Sequence, residues 1–319
     1  MSNRDNPINP SGPSSWEDGM LGTSGPQIAP LAYEQKSGPA TSPLPSGGNL
    51  AGRLRWRRRL LVLAGQLALG VVVIGGWQWF TTEGWVDRFF FGQPTGIVHR
   101  LYTLFRDGTS FGSYPRQIFV TFQEAVYGFL LGSVVGIVVG VALGTNRYLS
   151  DIVSPYIKML NAIPRIVLGS IFVVAFGVGL LPKVILAAVL VFFVVFFNAF
   201  QGVREVDPNV IANARVLGAK QLDIIRHVTL PSAMTWIIAS LHTAFGFAIV
   251  GALVQEILGS TEGLGLVIST AQGTFDANGI FAVVFTVMAL TLVAEFILTR
   301  IEHRLLAWRP QSRSEAASI

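Results

Sequence analysis

The segment Ala212-Asn213-Ala214-Arg215-Val216-Leu217-Gly218, followed nine residues later by Val228-Thr229-Leu230-Pro231, decides how this chain is organised. It belongs to the one long polar, helix-patterned stretch between the hydrophobic runs of the C-terminal half. Asp207 can act as an N-cap, and Pro208 then occupies the first helical position, where a missing N–H is tolerated. A helix is therefore predicted to begin here.

Two residues predict where the helices of this stretch end. Gly218 is expected to adopt a positive φ that ends the first helix, and Pro231 is expected to end the second before the next apolar run. Apolar residues recur at three- and four-residue steps between polar ones, and they are Val210, Ile211, Ala214, Leu217, Leu222, Ile225 and Val228. The pattern predicts two short amphipathic helices.

The same stretch resembles the cytoplasmic loop of permease subunits of ABC-type importers, whose pattern is E-A-A, three residues, G, nine residues, I-x-L-P. Ala212 and Asn213 stand where that pattern has Glu and Ala, and Val228 replaces Ile. The resemblance implies that the loop docks into a groove on a separate ATP-hydrolysing subunit. The coupling residues it implies are Asp207, Pro208, Ala212, Asn213, Ala214, Arg215, Gly218, Ala219, Val228, Leu230 and Pro231. An ordinary amphipathic loop between two membrane spans is the alternative.

Composition places the chain in a bilayer. Hydrophobic residues make up 51% and charged residues only 13%, against about 25% charged in soluble proteins. The chain has no cysteine, which excludes disulfides and thiolate metal sites. Its net charge of +5 does not indicate nucleic-acid binding, because the basic residues lie beside apolar spans rather than among aromatic residues on one polar face.

A bilayer core of about 30 Å needs about 20 helical residues. Runs of roughly this length predict an all-α membrane protein with about six transmembrane helices, at residues 60–80, 118–143, 159–181, 184–203, 232–255 and 277–299. Glu124 and Glu295 lie near span edges, where they are expected to snorkel towards the headgroups. Together with the loop, this is the fold that the resemblance implies, that of a type I ABC importer permease.

Most of the 23 Lys and Arg residues fall on one side if the N-terminus is cytoplasmic. By the positive-inside rule, both termini and the central loop are then cytoplasmic. The Pro-, Gly- and Ser-rich residues 1–52 are expected to be a disordered cytoplasmic tail, and 309–319 a second tail. Residues 53–93 hold the first span and an outer loop, and 94–308 the permease domain.

Five glycines recur at steps of four in the second span, at Gly128, Gly132, Gly136, Gly140 and Gly144. Such a stripe lets another helix approach closely, because no side chain separates the backbones. A tightly packed helix pair is predicted. The partner helix belongs either to this chain or to a second copy.

The resemblance extends over about residues 94–308 and points to the nitrate/sulfonate/taurine-type branch of importer permeases. It rests on segments that occur in the order and spacing typical of that branch: 161–165, 176–179, Lys183, Asn198, 202–204, 206–208, 255–260 and 263–265. It implies a bacterial plasma-membrane protein that works as two permease subunits, often identical, with two ATPase subunits and an extracytoplasmic binding protein. It also implies a small solute as substrate, such as nitrate, a sulfonate, taurine or another small organic molecule.

The chain itself is expected to be non-catalytic. It lacks the G-x4-G-K-[ST] phosphate loop, so ATP hydrolysis is expected in the partner, with no cofactor or metal bound here. An ion-driven carrier or channel acting without an ATPase is the alternative, and a membrane-embedded enzyme is a third possibility. The carrier would require interrupted helices with several buried ionisable groups.

Four polar residues within or beside the spans are candidates for the translocation pathway: Arg165, Asn198, His242 and Glu256. Each has a simpler interpretation. Arg165 is favoured as a snorkelling residue, and Glu256 as a solvated span end rather than a gate. Asn198 and His242 each have equal chances of lining the pathway or of bonding a neighbouring helix.

The predicted topology can be tested because the chain has no cysteine of its own. A cysteine introduced at Lys220 is expected to react with a membrane-impermeant maleimide only from the cytoplasmic side, and one at Glu262 only from outside. Labelling is measured in intact cells and in inverted vesicles, with the cysteine-free chain as the control. Labelling from the reversed sides would contradict the orientation.

Overall fold

The computed structural model describes residues 48–305. Residues 1–47, which make up most of the expected N-terminal tail, and residues 306–319, which include the C-terminal tail, lie outside the described part. The contacts divide the chain into two units, Met1–Leu63 and Ala64–Ile319, and everything below concerns the second. The helices of the described residues are α1 (Gly48–Thr82), α2 (Arg88–Phe91), α3 (Pro94–Asp107), α4 (Tyr114–Thr145), α5 (Arg147–Asn161), α6 (Arg165–Phe176), α7 (Leu180–Arg204), α8 (Pro208–Val216), α9 (Gln221–Ile224), α10 (Leu230–Leu258), α11 (Leu264–Gly273) and α12 (Ala277–Leu305).

Among the described residues, five helical stretches are long and apolar enough to cross a membrane. They correspond to α1, α4, α7, α9 with α10, and α12, which confirms five of the six predicted spans. The third predicted span is not one straight helix. It consists of α5 and α6, which meet at an angle of 87°.

Pro164 explains the break between α5 and α6. A proline disfavours helical geometry in the residue before it and has no N–H for the helix ladder. The chain therefore leaves α5 at Asn161 and starts α6 at Arg165. The predicted continuous span at 159–181 was wrong also at its end, because Gly177 adopts a φ of 76° and ends α6 at Phe176.

The glycine stripe of α4 packs against α7 of the same chain. A Cβ at Gly132 would lie 2.7 Å from Val191 Cβ, and one at Gly140 would lie 2.8 Å from Ala199 Cβ. Real Cβ atoms do not approach so closely, so only glycine permits this distance between the two helices. The predicted tight helix pair is confirmed, and its partner is intramolecular.

The same contacts give the direction of α7. Gly128, midway along α4, faces Ala187, whereas Gly144, at its end, faces Val203. The two helices therefore run parallel, which requires the chain to cross back between them. Since only α5 and α6 lie between, the bent pair acts as one crossing.

Helix α10 packs antiparallel on α7, because Gly251 faces Ala187 and Gly202 faces Ala233. Helix α12 returns alongside α10, where His242 contacts Glu295. The end of the bundle that holds residues 206–231 and the C-terminal ends of α4, α7 and α12 is called the loop end. The opposite end holds α2, α3 and the turn at residues 259–263 that leads into α11.

Replacing Gly132 with Ala is expected to destabilise the protein by about 1–3 kcal/mol, because the new methyl group overpacks the contact with α7. Gly70→Ala in α1 is the matched control, since a Cβ there meets nothing within 4 Å. Thermal unfolding of the purified full-length variants measures the difference. Equal midpoints for the two variants would show that the glycine contact is unimportant.

Candidate functional site

The polar stretch at residues 207–231, called the helical loop, begins as the sequence predicts. Helix α8 starts at Pro208, and the Asp207 carboxylate accepts a hydrogen bond from the Asn209 N–H at 2.8 Å. This bond satisfies one of the backbone donors that a helix start leaves free.

Gly218 turns the chain between the two short helices. Its φ is 85°, and its N–H donates to the Arg215 carbonyl at 2.9 Å. The next N–H, of Ala219, donates to the Ala214 carbonyl at 3.0 Å. A Cβ at Gly218 would meet nothing within 4 Å, so glycine is required here for the backbone conformation rather than for space.

The second short helix differs from the prediction, because Pro231 does not end it. Helix α9 continues through a π-helical turn, Ile225–Thr229, directly into α10. Pro231 has no N–H to donate, and its ring would crowd the carbonyl four residues earlier in a regular helix. The wider turn, in which the Leu230 N–H donates to the Ile225 carbonyl, accommodates the proline without breaking the helix.

The helical loop exposes part of its apolar face. Val216 and Leu217 are each 87% exposed, and Leu222 is 73% exposed. The exposed basic residues Arg215 and Lys220 lie beside them. The pair of short helices thus presents an exposed apolar surface with cationic neighbours, called the apolar tip (Val216, Leu217 and Leu222).

A polar groove separates the helical loop from the adjoining helices. Ala212 and Arg215 of α8 line it together with Arg147, Asp151 and Arg204. The Arg204 guanidinium lies 4.7 Å from the centroid of the Phe200 ring, which holds this side chain against α7. Ala212 occupies the position where the importer pattern has Glu, so the groove receives no carboxylate from α8 there.

The four candidate pathway residues do not converge on one site. Arg165 is exposed at the bend between α5 and α6, where its guanidinium donates to the Asn161 carbonyl at 3.0 Å and to the Asn161 side-chain oxygen at 2.8 Å. A cation at this position satisfies the free carbonyl end of α5. Its contacts are thus local to the bend.

Asn198 donates to the Val194 carbonyl of its own helix at 2.8 Å. It borders a cavity of about 390 Å³ between α5, α7 and α10, whose lining includes Lys158, Gln201 and Trp236. A bond to a neighbouring helix, one of the two alternatives for this residue, is not among its contacts in the described residues.

His242 is not a lone intramembrane histidine. Its Nδ1 lies 2.5 Å from Glu295 Oε1, and its Nε2 lies 2.9 Å from Glu302 Oε2. Both carboxylates come from α12, more than 50 residues away in sequence, so spacing along the chain could not reveal them. Glu295, expected to snorkel towards the headgroups, contacts His242, and the Arg300 guanidinium lies over the Phe296 ring.

Glu256 and Glu124 are both buried, so the predictions of a solvated span end and of a snorkelling carboxylate were wrong. Glu256 accepts hydrogen bonds from the Thr121 hydroxyl and the Gly265 N–H. Glu124 contacts Lys183. Neighbouring helices and the turn before α11 cover both carboxyls, which sequence position alone could not indicate.

These features define a multi-pass α-helical membrane protein with an exposed helical loop at one end. Residues 132–307 match the family described as the binding-protein-dependent transport system inner membrane component. The chain is 30% identical to the putative aliphatic sulfonates transport permease protein SsuC of Bacillus subtilis (strain 168), over 76% of this chain and 87% of that protein.

Two further relatives are named as permeases for riboflavin and for taurine. The riboflavin transport system permease protein RibX of Chloroflexus aurantiacus is 28% identical, over 73% of this chain and 85% of its own length. The taurine transport system permease protein TauC of Escherichia coli (strain K12) is 24% identical, over 80% of this chain and 94% of that protein. The MetNI methionine ABC transporter in an inward-facing conformation shares the fold, with a TM-score of 0.53 at 21% identity over 58% of this chain and 93% of that chain.

The chain belongs to the binding-protein-dependent transport system inner membrane component family. It is the permease subunit of an ABC importer, an inner-membrane transport subunit of the sulfonate/taurine branch.

Proposed function

We propose that this permease couples to a separate ATPase subunit through the helical loop, residues 207–231. The exposed apolar tip is the observation that carries the proposal. A monomer gains nothing by leaving two side chains 87% exposed on a rigid turn, whereas a partner that buries them gains about 25 cal/mol for each Å² of apolar surface.

The path from the loop to the membrane supports this role. Helix α9, the π-helical turn and α10 form one continuous helix, Gln221–Leu258. A displacement of the loop by the partner therefore moves a membrane-spanning helix directly. Asp207, Pro208, Ala214, Gly218 and Ala219 hold the geometry of the first helix and its turn, while Ala212, Asn213 and Arg215 lie on the adjoining α8 surface.

The orientation that fits this role puts the loop end in the cytoplasm, where ATP is. Arg204, Arg215 and Arg226 lie at the loop end, as do Arg300 and Arg304 near the end of α12. By the positive-inside rule, such a concentration favours the cytoplasmic face, and the N-terminus is then cytoplasmic as well.

The assembly inferred from family membership is two permease copies, two ATPase subunits that use ATP, and an extracytoplasmic binding protein that delivers the solute. The pathway is then formed between the permease subunits. Asn198, which borders the cavity, is the best placed of the four candidates for contact with solute. Arg165 bonds to Asn161 four residues away, His242 is held by two carboxylates of α12, and the burial of Glu256 favours a structural role.

Small sulfonates are the substrate class proposed for this importer, because SsuC and TauC carry sulfonate and taurine in their names. Riboflavin, named for RibX, is the competing class. The exposed Arg165 is compatible with an anionic solute, although its bonds to Asn161 account for its position without one.

Leu217→Glu is expected to weaken binding of the ATPase subunit about tenfold or more, because it places a charge in an apolar contact without disturbing the folded permease. The ratio of ATPase to permease after co-purification measures the effect, together with ATP-driven uptake. Asn209→Glu adds the same charge to the same loop outside the apolar tip, and it should leave the ratio unchanged. A Leu217→Glu complex with the normal ratio would exclude docking at the tip.

Uptake of radiolabelled alkanesulfonate or taurine is expected to depend on this chain and to disappear in a deletion strain. Complementation with the full-length chain should restore it, whereas the Leu217→Glu variant should not. Riboflavin uptake is measured in the same strains as the comparison. Loss and recovery of riboflavin uptake, with sulfonate uptake unaffected, would assign the importer to the other class.

A further inference from the structure

Three ionisable side chains are enclosed where α4, α7 and α10 meet, towards the end opposite the loop end. Glu124 is 2% exposed, Lys183 is 3% exposed and Glu256 is 1% exposed. Together with Thr121 they form what is called the carboxyl cluster. Neither the coupling role nor the proposed substrate accounts for these residues.

The cluster has a definite set of hydrogen bonds. The Lys183 ammonium donates to Glu124 Oε1 at 2.6 Å and to the Glu262 main-chain carbonyl at 3.2 Å. Glu256 Oε1 accepts from the Thr121 hydroxyl at 2.7 Å, and Glu256 Oε2 accepts from the Gly265 N–H at 2.6 Å. The Glu124 and Glu256 carboxyls are neighbours within the cluster.

Two observations conflict with full ionisation of the cluster. Two carboxylates and one ammonium leave one negative charge uncompensated in a buried, low-dielectric site, which is strongly unfavourable. In addition, Glu124 Oε2 has no hydrogen-bond partner among the described residues. Buried polar atoms are nearly always bonded, so this oxygen requires an explanation. One bound proton removes both conflicts.

We propose that Glu124 carries this proton on Oε2 and donates it in a hydrogen bond to the Glu256 carboxylate, with Lys183 as the counter-ion. Glu256 is the better site for the negative charge because both of its oxygens already accept bonds from other donors. If Glu256 held the proton, its hydroxyl oxygen would have to serve Thr121 or Gly265 as well, and a carboxylic hydroxyl is a poorer acceptor than a carboxylate.

The shared proton positions the turn that leads into α11. The Thr121 hydroxyl donates to Glu256 and accepts from the Leu264 N–H at 2.8 Å, while the Gln117 side-chain oxygen accepts from the Gly263 N–H at 2.7 Å. The Glu256 carboxyl occupies the space that a side chain at residue 263 would need. The neutral cluster thus fastens the start of α11 to α4, α7 and α10.

Exchanging each carboxyl for its uncharged amide tests the assignment. Glu124→Gln is expected to keep the apparent unfolding midpoint within about 2 °C of the native protein, because its amide N–H replaces the acid hydroxyl and its carbonyl still accepts from Lys183. Glu256→Gln is expected to lower the midpoint by about 5–10 °C, since an amide nitrogen cannot accept a hydrogen bond and either the Thr121 hydroxyl or the Gly265 N–H loses its buried acceptor. Both are measured on the full-length chain in lipid nanodiscs.

Glu262→Gln is the matched control, because this carboxylate is partly exposed in an ion pair with Arg116 and should tolerate the exchange. A destabilised Glu124→Gln beside a stable Glu256→Gln would place the proton on Glu256 and overturn the assignment. Two unaffected or stabilised variants would show that no proton is shared.

Infrared spectroscopy keeps the proposal testable if Glu256→Gln does not fold. The native protein should show a protonated carboxyl C=O band, and this band should be missing in Glu124→Gln and retained in Glu262→Gln. A native spectrum without the band, or a band that survives in Glu124→Gln, would overturn the proposal.

Discussion

The close contact between α4 and α7 is the constraint on which the rest of the bundle depends. Each turn in the second half of α4, from Gly128 to Gly144, places a glycine against α7, where even a methyl group would crowd residues such as Ala187, Val191 or Ala199. Dispersion between two backbones in contact is large in total and falls steeply with distance. Because the contact also makes the two helices parallel, it requires the bent α5–α6 pair to complete a crossing.

The helical bundle positions the helical loop. Val206, just before the loop, is buried, and Ile224 and Thr229 are buried in its second half, so both sides of the loop are anchored while the apolar tip remains exposed. The π-helical turn keeps α9 continuous with α10 in spite of Pro231. A rigid loop that is continuous with a spanning helix is the mechanical requirement for transmitting movement into a membrane domain.

Polar side chains in the bundle act differently from the glycines, because they join helices through hydrogen bonds rather than through close packing. Glu124 and Glu256 are enclosed and His242 is partly buried, and each has partners from other helices. In an apolar environment an unpaired charge is so unfavourable that these groups appear in sets, and each set connects two or more helices. They therefore fix which helices are neighbours, whereas the apolar contacts fix how closely those neighbours pack.

The sequence by itself determined the membrane class, five of the spans, the start of α8 at Pro208, the positive φ of Gly218 and the glycine contact, because each follows from local periodicity or backbone chemistry. The bend at Pro164, the continuous helix past Pro231 and the burial of Glu124 and Glu256 were decided only by the tertiary structure. A proline restricts the backbone but does not specify whether the helix bends, ends or widens. The burial of a carboxyl depends on donors such as Lys183 and Gly265, which folding brings together from distant parts of the chain.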